Sequence, residues 1–525
     1  MLAADFIESR RVQLQNSLDS TKTQAERNRL GQFATPAALA TDILAYAKSL
    51  VPSAIDIRFL DPAFGTGSFY SALLRSFSPS RVVQARGYEI DPHYGLQAKR
   101  LWVDTALTLN VEDFTRATPP ASNDAKATLV VCNPPYVRHH HVGRDEKMRL
   151  QRMVEERAGV RLTGLAGLYC YFVCLSHEWM AEDGLAVWLI PSEFMDVKYG
   201  EAVKQYLLSR VTLLRIHRFN PTDVQFGDAL VSSAVVSFKK AAPPDDYAVD
   251  FSYGGTLANP KITRRISVGV LKRAAKWSRL PLASDEVASR GKQTKLADLF
   301  HVKRGLATGA NGFFVLTPQQ VSENHLPAEF VRPILPSPRY LPVDEIEADS
   351  MGNPILDRSL FLLTCNLPED YVRATYPTLW KYLQTGVAKG INKRYLCQHR
   401  SPWYSQENRP ASPFLCTYMG RRGVRGEKAF RFILNHSRAT APNVYLMLYP
   451  KPTLKEALRG RPERVNAVWH ALDEIPMETL LGEGRVYGGG LHKLEPRELA
   501  NAPAGGVLEV VPELFSARVG QPQLL

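Results

Sequence analysis

The chain has 525 residues, of which 45% are hydrophobic and 22% are charged. This balance supports packed cores in several domains of about 150 residues each, and it excludes a chain that is disordered throughout. Lysine and arginine number 65 against 52 acidic residues, which gives a formal net charge of +13. Such a surplus favours a polyanionic partner, nucleic acid first, although a basic enzyme without that partner stays open.

Cysteine content and hydropathy indicate a cytoplasmic protein. Six cysteines without a Cys-x-x-Cys pair exclude a disulfide scaffold and argue against a zinc ribbon. The chain opens without the basic start and apolar run of a signal peptide, and no stretch of about 18 apolar residues predicts a membrane span. The adjacent His139, His140 and His141 lack a partner at ligand spacing, so we expect no metal.

Helical and extended patterns alternate through the first half of the chain. Residues 1–30 predict helix, and Thr35 followed by Pro36 predicts the N-cap and first position of a helix over residues 37–50. Short apolar runs predict strands at 57–60, 84–90, 127–132, 185–190, 213–219 and 231–238. Strands that alternate with helices favour an α/β domain with a mostly parallel sheet, and the final two runs indicate a hairpin at its edge.

The composition changes after Phe238. Residues 239–246 read Lys-Lys-Ala-Ala-Pro-Pro-Asp-Asp, which is typical of a surface connection. Prolines and glycines then become frequent and helical periods become short, which predicts a mixed α+β domain. We therefore predict a first domain over residues 1–240, a connecting segment over 241–290 and a second domain over 291–525.

A glycine-rich turn follows the first predicted strand, with the sequence Asp61-Pro62-Ala63-Phe64-Gly65-Thr66-Gly67. Glycines between a strand and a helix let a ligand approach the backbone closely. Glu89, before Ile90, ends the next predicted strand, where an acidic residue can accept both ribose hydroxyls of an adenosine-containing cofactor. Asp113, before Phe114, can accept a hydrogen bond from the exocyclic amine of an adenine.

The sharpest motif is Asn133-Pro134-Pro135-Tyr136, which directly follows the strand predicted at 127–132. Two prolines end a strand abruptly and fix the backbone. The fixed carbonyls and the Asn133 amide oxygen form a pair of acceptors for one NH2 group, and Tyr136 offers a flat face to a planar base. The motif therefore indicates a substrate with an amino group.

Asn-Pro-Pro-Tyr after Asp-Pro-Ala-Phe-Gly-Thr-Gly-Ser resembles the amino-group DNA methyltransferases that use S-adenosylmethionine (SAM). Gly31-Gln32-Phe33-Ala34-Thr35-Pro36 is similar to the amino-terminal SAM-contact motif of that family. The order of these motifs, with a large carboxy-terminal region after them, resembles the gamma group (TaqI-like) of N6-adenine methyltransferases from restriction–modification systems. The segments 303–311 and 486–491 resemble parts of its recognition domain.

The resemblance implies a fold, a cofactor and a set of site residues. The fold is the Rossmann-like SAM-dependent methyltransferase fold with a mostly parallel seven-stranded sheet, followed by an α+β DNA target-recognition domain. The residues implied to bind SAM are Gln32, Phe33, Thr35, Pro36, Asp61, Pro62, Ala63, Gly65, Gly67, Glu89, Ile90, Asp113 and Phe114. The residues implied to be catalytic are Asn133, Pro134, Pro135, Tyr136 and Phe226, of which Phe226 stands where the family has an aromatic against the flipped base.

The reaction implied is methyl transfer from SAM to the N6 amine of an adenine flipped out of duplex DNA. Flipping predicts a basic cleft, for which the second domain offers two groups of basic residues among aromatics. The first group is Lys393, Arg394 and Arg400, near Tyr395, Trp403 and Tyr404. The second group is Arg421, Arg422, Arg425, Lys428 and Arg431, near Tyr418, Phe430 and Phe432.

Other readings of the motifs stay open. Protein-glutamine N5-methyltransferases share Asn-Pro-Pro-Tyr but lack a large second domain. N4-cytosine methyltransferases usually carry Ser-Pro-Pro-Trp, so Asn133 and Tyr136 favour adenine. A DNA-binding module without activity would not need the SAM motifs. We expect a monomer that binds double-stranded DNA and protects it from a cognate restriction endonuclease on a separate chain.

Overall fold

The computed structural model describes residues 2–220, 232–280, 294–421, 428–487 and 490–514. The chain divides into two compact units, the first comprising Met1–Ala288 with Tyr487–Gly489 and the second Ser289–Val486 with Gly490–Leu525. Within the described ranges, every helix is too short or too polar to cross a membrane.

The first unit is built on one large sheet with helices around it. Its strands are β1 (Ile57–Asp61), β2 (Val82–Tyr88), β3 (Leu107–Asn110), β4 (Ala127–Cys132), β5 (Met180–Pro191), β6 (Thr212–Arg218), β7 (Ser233–Lys239), β8 (Ala248–Gly255) and β9 (Pro260–Ser267). Its helices are α1 (Leu2–Ser20), α2 (Gln24–Leu30), α3 (Ala37–Leu50), α4 (Ser68–Ser76), α5 (Pro92–Leu101), α6 (Arg144–Ala158), α7 (Leu168–Leu175), α8 (Glu201–Ser209) and α9 (Val268–Arg273).

The strand order is β3-β2-β1-β4-β5-β7-β6-β8-β9. Strands β3, β2, β1, β4 and β5 run parallel to one another, whereas β7 lies antiparallel between β5 and β6. Apolar cores cover both faces of the sheet, since Val130 packs in one core while Leu129 and Val131 pack in the other. Burial on both faces explains why the central strands read as continuous apolar runs.

Two further strands extend the seven-stranded sheet to nine and correct the predicted connecting segment 241–290. Strand β8 pairs parallel with β6, and β9 pairs antiparallel with β8. Buried Val249 and Phe251 alternate with Asp250, which is a strand pattern. The edge of β6 would otherwise expose unpaired backbone groups. The β6–β7 hairpin forms as predicted, but it lies inside the sheet.

The amino-terminal helices correct one capping prediction. Helix α2 begins after Thr23, whose side chain accepts from the Glu26 amide, and it ends at Gly31 in the left-handed conformation. Helix α3 begins at Ala37, directly after Pro36, without a side-chain cap. Thr35 is therefore not the N-cap of α3, because its hydroxyl is engaged elsewhere.

The second unit is mixed α+β. Its strands are β10 (Phe300–Arg304), β11 (Val315–Leu316), β12 (Val331–Pro333), β13 (Glu345–Ile346), β14 (Phe361–Leu363), β15 (Phe414–Thr417), β16 (Met419–Arg421), β17 (Phe432–Asn435), β18 (Tyr445–Pro450), β19 (Arg485–Tyr487) and β20 (Leu491–Lys493). They form three sheets of order β10-β18-β15-β17-β13, β11-β14-β12 and β16-β20-β19. Its helices are α10 (Leu296–Leu299), α11 (Asn311–Phe314), α12 (Pro318–Glu323), α13 (Glu369–Thr375), α14 (Pro377–Ala388), α15 (Tyr395–Gln398), α16 (Pro452–Leu458), α17 (Pro462–Asp473), α18 (Met477–Glu483), α19 (Pro496–Ala500) and α20 (Gly505–Val510).

Candidate active site

The carboxyl ends of β1, β2 and β4 bring three of the sequence motifs to one edge of the sheet. Asp61 ends β1 and lies beside Gly87 of β2, while Leu60 lies beside Val130 of β4. Because these strands are parallel, the residues that follow them emerge at the same edge. The glycine-rich turn, the Glu89 turn and the Asn133 segment are therefore neighbours.

The glycine-rich turn requires two of its glycines. Gly67 has φ of 91°, and a Cβ atom there would lie 2.7 Å from the ring of the buried Phe64. Gly65 has φ of 57°, and a Cβ atom there would meet no atom within 4 Å. Gly65 therefore combines a left-handed backbone with open space, which is the geometry that lets a ligand approach the main chain. Pro62 is buried in the same turn.

Glu89 is buried at the end of β2 and links two turns. Its Oε2 accepts from the Gly65 amide at 2.8 Å, and its Oε1 accepts from the Asp91 amide at 2.9 Å. Burial raises the pKa of Glu89, while these two amides oppose the rise. Each carboxylate oxygen keeps a further lone pair that can accept from a ligand hydroxyl. Ile90 beside it is 61% exposed, so an apolar surface is available at the same turn.

Asp61 is almost fully buried at the end of β1. Burial raises its pKa to about 7, even though the Ala63 amide and the Cys132 thiol donate hydrogen bonds that lower it. The nearby Glu89 carboxyl raises the pKa of Asp61 further. Burial also raises the pKa of Cys132, so this thiol stays neutral and remains a donor. Cys132 is thus a buried strand residue.

The amino-terminal motif contacts the Glu89 turn through Gln32. The Gln32 side chain donates from Nε2 to Asp91 Oδ2 at 2.8 Å, and Lys22 forms an ion pair with the same carboxylate. Burial alone would raise the pKa of Asp91, but hydrogen bonds from Gln32, Lys22 and the His93 amide hold it below its usual value. The segment that carries Gln32 is therefore fixed against the turn that carries Glu89.

Asn133 is oriented by the same amino-terminal motif. Its Nδ2 donates to the Phe33 carbonyl oxygen at 2.9 Å and to the Thr35 hydroxyl at 3.1 Å. The Asn133 Oδ1 atom is buried, and none of the described side chains or backbone groups donates to it. A buried acceptor without a donor is uncommon and costs about 1–3 kcal/mol, so this atom is suited to a donor from a ligand.

Tyr136 is held at three points. Its amide donates to the Gly31 carbonyl oxygen at 3.2 Å, its hydroxyl donates to the Leu189 carbonyl oxygen at 3.1 Å, and its ring lies 5.7 Å from that of Phe33. A Cβ atom on Gly31 would lie 2.4 Å from Tyr136 N. Only glycine lets residue 31 lie this close to the Tyr136 backbone. The amino-terminal motif and the Asn-Pro-Pro-Tyr motif are therefore in direct steric contact. Pro134, in the same segment, is buried.

Five predicted residues contribute less directly or lie outside the described part of the chain. Asp113 uses Oδ1 to accept from the amide and hydroxyl of Thr115, and its Oδ2 forms an ion pair with Arg116 Nε at 3.5 Å. The Phe114 ring is buried in the core, with its centroid 5.2 Å from that of Trp179. Phe226 lies outside the described residues. Pro36 is exposed and Pro135 is partly buried.

Helix α1 carries site residues that the sequence did not indicate. Buried Arg11 donates to the Thr66 hydroxyl at 3.1 Å and pairs with Glu8, while the Thr66 hydroxyl donates to Gln15 at 2.6 Å. Helix α1 therefore supports the glycine-rich turn from outside the sheet. The 1–30 segment offered only a helical pattern, and no spacing rule connects Arg11 with a turn 55 residues away.

Half of the described basic residues in the two predicted groups have partners within the chain. Arg400 donates to the Ala307 and Thr308 carbonyl oxygens, Arg431 pairs with Asp344, and Lys428 pairs with Asp473. The aromatic residues that are buried or partly buried in the core are Trp403, Tyr404, Tyr418, Phe430 and Phe432. The described basic residues that stay exposed are Lys393, Arg394, Arg421 and the paired Lys428. Arg422 and Arg425 lie outside the described part of the chain.

Two family models match separate parts of the chain. The model for the Type II methyltransferase M.Eco57I, C-terminal domain, matches residues 275–519. The model for the Eco57I restriction-modification methylase matches residues 96–225. These matches lie in both structural units, so the similarity is not confined to the cofactor-binding sheet.

The chain is also similar to curated proteins over most of its length. It is 27% identical over 483 residues to the Type II methyltransferase M.XamI of Xanthomonas campestris pv. amaranthicola, covering 90% of this chain and 84% of that protein. It is 24% identical over 491 residues to the Type II methyltransferase M.AccI of Acinetobacter calcoaceticus, covering 90% and 85%.

Among solved structures, the Type IIL restriction-modification enzyme MmeI in complex with DNA matches with a TM-score of 0.51. The identity is 12%, and the match covers 98% of this chain and 76% of that chain, which supports the fold alone. The predicted SAM-dependent methyltransferase fold is confirmed, and S-adenosyl-L-methionine is its cofactor. In both structural units the chain is therefore similar to Type II restriction–modification methyltransferases.

Proposed function

We propose that this protein transfers a methyl group from SAM to the N6 amine of a specific adenine, flipped out of duplex DNA. The observation that carries the proposal is the buried, unpartnered Oδ1 atom of Asn133. Methylation would protect the DNA from a cognate restriction endonuclease on a separate chain, and the protein would act as a monomer.

The orientation of the Asn133 amide follows from its partners. The Phe33 carbonyl oxygen can only accept a hydrogen bond, so the atom that faces it at 2.9 Å must be Nδ2. A flipped amide would place two acceptors against each other. Oδ1 is therefore fixed as an acceptor, and its missing partner must be a donor such as an amino group.

Two acceptors suit methylation of an exocyclic amine. The lone pair of an adenine N6 amine is delocalised into the ring, which makes the amine a poor nucleophile. Asn133 Oδ1 and the Pro134 carbonyl oxygen would accept its two hydrogens and draw them out of the ring plane, which localises the lone pair on nitrogen. The transfer then depends on positioning and charge stabilisation rather than on a strong base.

The atoms balance without a covalent enzyme intermediate. Bound SAM supplies an electrophilic methyl group on a sulfonium. The N6–carbon bond forms as the sulfur–carbon bond breaks, and the nitrogen then loses one proton to solvent. Asn133 Oδ1 would accept a hydrogen bond from the amine during the transfer.

A flipped base needs a surface to stack on, because leaving the duplex costs a few kcal/mol. Tyr136 would provide one face, since its hydroxyl is tied to the Leu189 carbonyl oxygen and its ring is thereby fixed. Stacking on an aromatic side chain stabilises a base by about 1–3 kcal/mol. Phe226 would provide the second face, as the resemblance implies.

The cofactor residues follow from the turns at the sheet edge. Glu89 would accept the ribose hydroxyls, Ile90 would pack against the adenine ring and Gly65 would admit SAM to the main chain. Asp113 would accept from the adenine amine through Oδ2, which also faces Arg116. The contacts of Gln32 with Asp91 and of Phe33 with Asn133 would couple the bound cofactor to the catalytic segment.

Two observations favour adenine in DNA over the alternatives. Asparagine at 133 and tyrosine at 136 differ from the Ser-Pro-Pro-Trp that is usual for N4-cytosine methylation. The mixed α+β second unit would be available for target recognition, which a protein-glutamine methyltransferase does not need. Residues 1–240, extended by β8 and β9, would be catalytic, and residues 291–525 would recognise DNA.

The proposal is tested by incubating the protein with labelled SAM and unmethylated genomic DNA. We expect label in DNA, its loss in Asn133→Ala with SAM affinity kept, and unchanged transfer in the control Asn28→Ala, an exposed residue of α2. Label on protein instead of DNA would overturn the proposal. Full methyl transfer by Asn133→Ala would show that the Asn133 Oδ1 atom is not needed as an acceptor for the target amine.

A further inference from the structure

One stretch of the second unit is unusually basic. Residues 371–406 contain no aspartate or glutamate, although about one residue in ten is acidic in the whole chain. The same stretch carries six cationic residues, Arg373, Lys381, Lys389, Lys393, Arg394 and Arg400. It spans the end of α13, all of α14 and α15, and the loop that follows. Its charge is therefore not balanced locally.

Arg373 is exposed and pairs with Asp370. Four further cations are also exposed, namely Lys381, Lys389, Lys393 and Arg394. In the part of the chain that the structure describes, no carboxylate forms an ion pair with them. Arg431 and Lys428 behave differently, because each is paired with an aspartate. Unpaired exposed cations close together attract a polyanion, and the attraction is strongest at low salt.

An aromatic side chain projects from the same place. Tyr395 directly follows Arg394 and is 74% exposed, which makes it the most exposed large aromatic in the described residues. The other aromatics predicted for this group, Trp403 and Tyr404, are packed in the core. The Tyr395 ring contacts the His399 ring, with the centroids 4.5 Å apart, and most of its surface stays open to a ligand.

The helix that carries Tyr395 is held in place by contacts with a neighbouring segment. Arg400 donates to the Ala307 and Thr308 carbonyl oxygens at 2.7 and 2.8 Å. A Cβ atom on Gly309, which has φ of 84°, would lie 3.1 Å from Leu396 Cβ. Helix α15 is thereby fixed against the segment 305–309, and Tyr395 is presented by a preorganised element rather than by a loose loop.

We propose that Lys389, Lys393, Arg394 and Tyr395, here named the α15 ridge, contact DNA, with the cations on phosphates and the Tyr395 ring against a base. This inference rests on the proposed function. Cations alone would suit any polyanion, but nucleic acid is the polyanion that also offers flat faces to an aromatic ring. An acidic membrane or an acidic protein would use the charges and leave the ring without a partner.

The ridge is tested by DNA-binding titrations at several salt concentrations, with unmethylated duplex fragments and the full chain. Lys393→Gln with Arg394→Gln should lower the slope of log Kd against log salt by about two, one for each phosphate contact. Tyr395→Ala should weaken binding by about tenfold and leave the slope unchanged, because stacking is not an ionic contact.

Matched controls come from the same chain. Lys272 and Arg273 form the same exposed dipeptide at the end of α9, and their double change to Gln removes equal charge. Tyr340 is 52% exposed, and Tyr340→Ala removes a comparable ring. We expect both controls to bind DNA as the wild type does. SAM affinity and thermal unfolding, measured for every variant, report intact folding.

The outcomes separate this inference from the proposed function. If the wild type neither binds nor methylates DNA, the proposed function fails. If the wild type does both while the ridge variants keep the wild-type slope and affinity, the ridge assignment alone is overturned. An equal loss of slope in the Lys272 and Arg273 control would also overturn it, because the effect would then be one of net charge.

Discussion

Asn133 donates its side-chain amide to the carbonyl oxygen of Phe33, although the two residues are 100 positions apart in the chain. This contact ties the Asn-Pro-Pro-Tyr segment to the amino-terminal motif. The resemblance assigns that motif to cofactor contact, whereas the geometry gives it a second task. It orients the amide whose oxygen we propose to receive the target amine.

Thr35→Val should separate these two tasks. Valine keeps the branched shape but removes the hydroxyl that accepts from Asn133 Nδ2 at 3.1 Å. Losing one hydrogen bond of about 1 kcal/mol should lower kcat several-fold. SAM affinity should change little, and Thr108→Val on the exposed side of β3 should change neither. A raised Kd for SAM with wild-type kcat would show that Thr35 acts only in cofactor binding and does not orient Asn133.

Gly31→Ala should destabilise the first unit. The new Cβ atom would lie 2.4 Å from Tyr136 N, and backbone cannot give way as a flexible side chain can. We expect a loss of about 1–3 kcal/mol for overpacking in addition to the strain of a left-handed backbone. Gly254→Ala is the control, because Gly254 has nearly the same φ but faces only the flexible Lys261 side chain. Equal losses of unfolding free energy in the two variants would contradict the steric link.

Glu89→Ala should weaken SAM binding. The variant loses a buried carboxylate that accepts from the Gly65 and Asp91 amides, and it loses the proposed acceptor for the ribose. A hydrogen bond to a charged group contributes about 1.5–3 kcal/mol, so Kd should rise by about tenfold to a hundredfold. Calorimetric titration measures this, with the exposed Glu112→Ala as control. An unchanged Kd for SAM would show that Glu89 does not bind the cofactor.

Asp61 should make stability depend on pH. Its pKa is raised from 3.8 to about 7, so the folded state holds a proton that the unfolded state releases in this interval. The stabilisation is complete below the unfolded pKa and is lost as the pH rises through about 7. Asp61→Asn should therefore flatten the pH dependence of the unfolding free energy and gain stability relative to wild type at high pH. Parallel curves for the two proteins would contradict the raised pKa.

Local patterns predicted the central sheet well. Strand β4 has the predicted bounds, because Ala127–Cys132 is an apolar run closed by two prolines. Strands β8 and β9 were missed because they follow the Pro-Pro-Asp-Asp sequence, and their polar exposed residues resemble a linker. The pairing that stabilises β8 comes from β6, and a single sequence does not show which edge is open.

Long-range contacts account for the site residues that the sequence did not reveal. Arg11 reaches Thr66 across 55 residues, and Lys22 reaches Asp91 across 69. No periodic pattern predicts such a contact, because it depends on how α1 and α2 pack. The same limit explains Arg400, which the sequence suggested for phosphate contact and which instead binds the Ala307 and Thr308 carbonyl oxygens.

The central claim is that Asn133 and its neighbours activate the N6 amine of adenine in DNA, and the identity of the methylated nucleoside tests it most directly. DNA treated with the protein and SAM is digested and analysed by mass spectrometry for methylated nucleosides. We predict N6-methyladenine, produced by the wild type and absent with Asn133→Ala. N4-methylcytosine, or methylated protein with unmodified DNA, would contradict the claim.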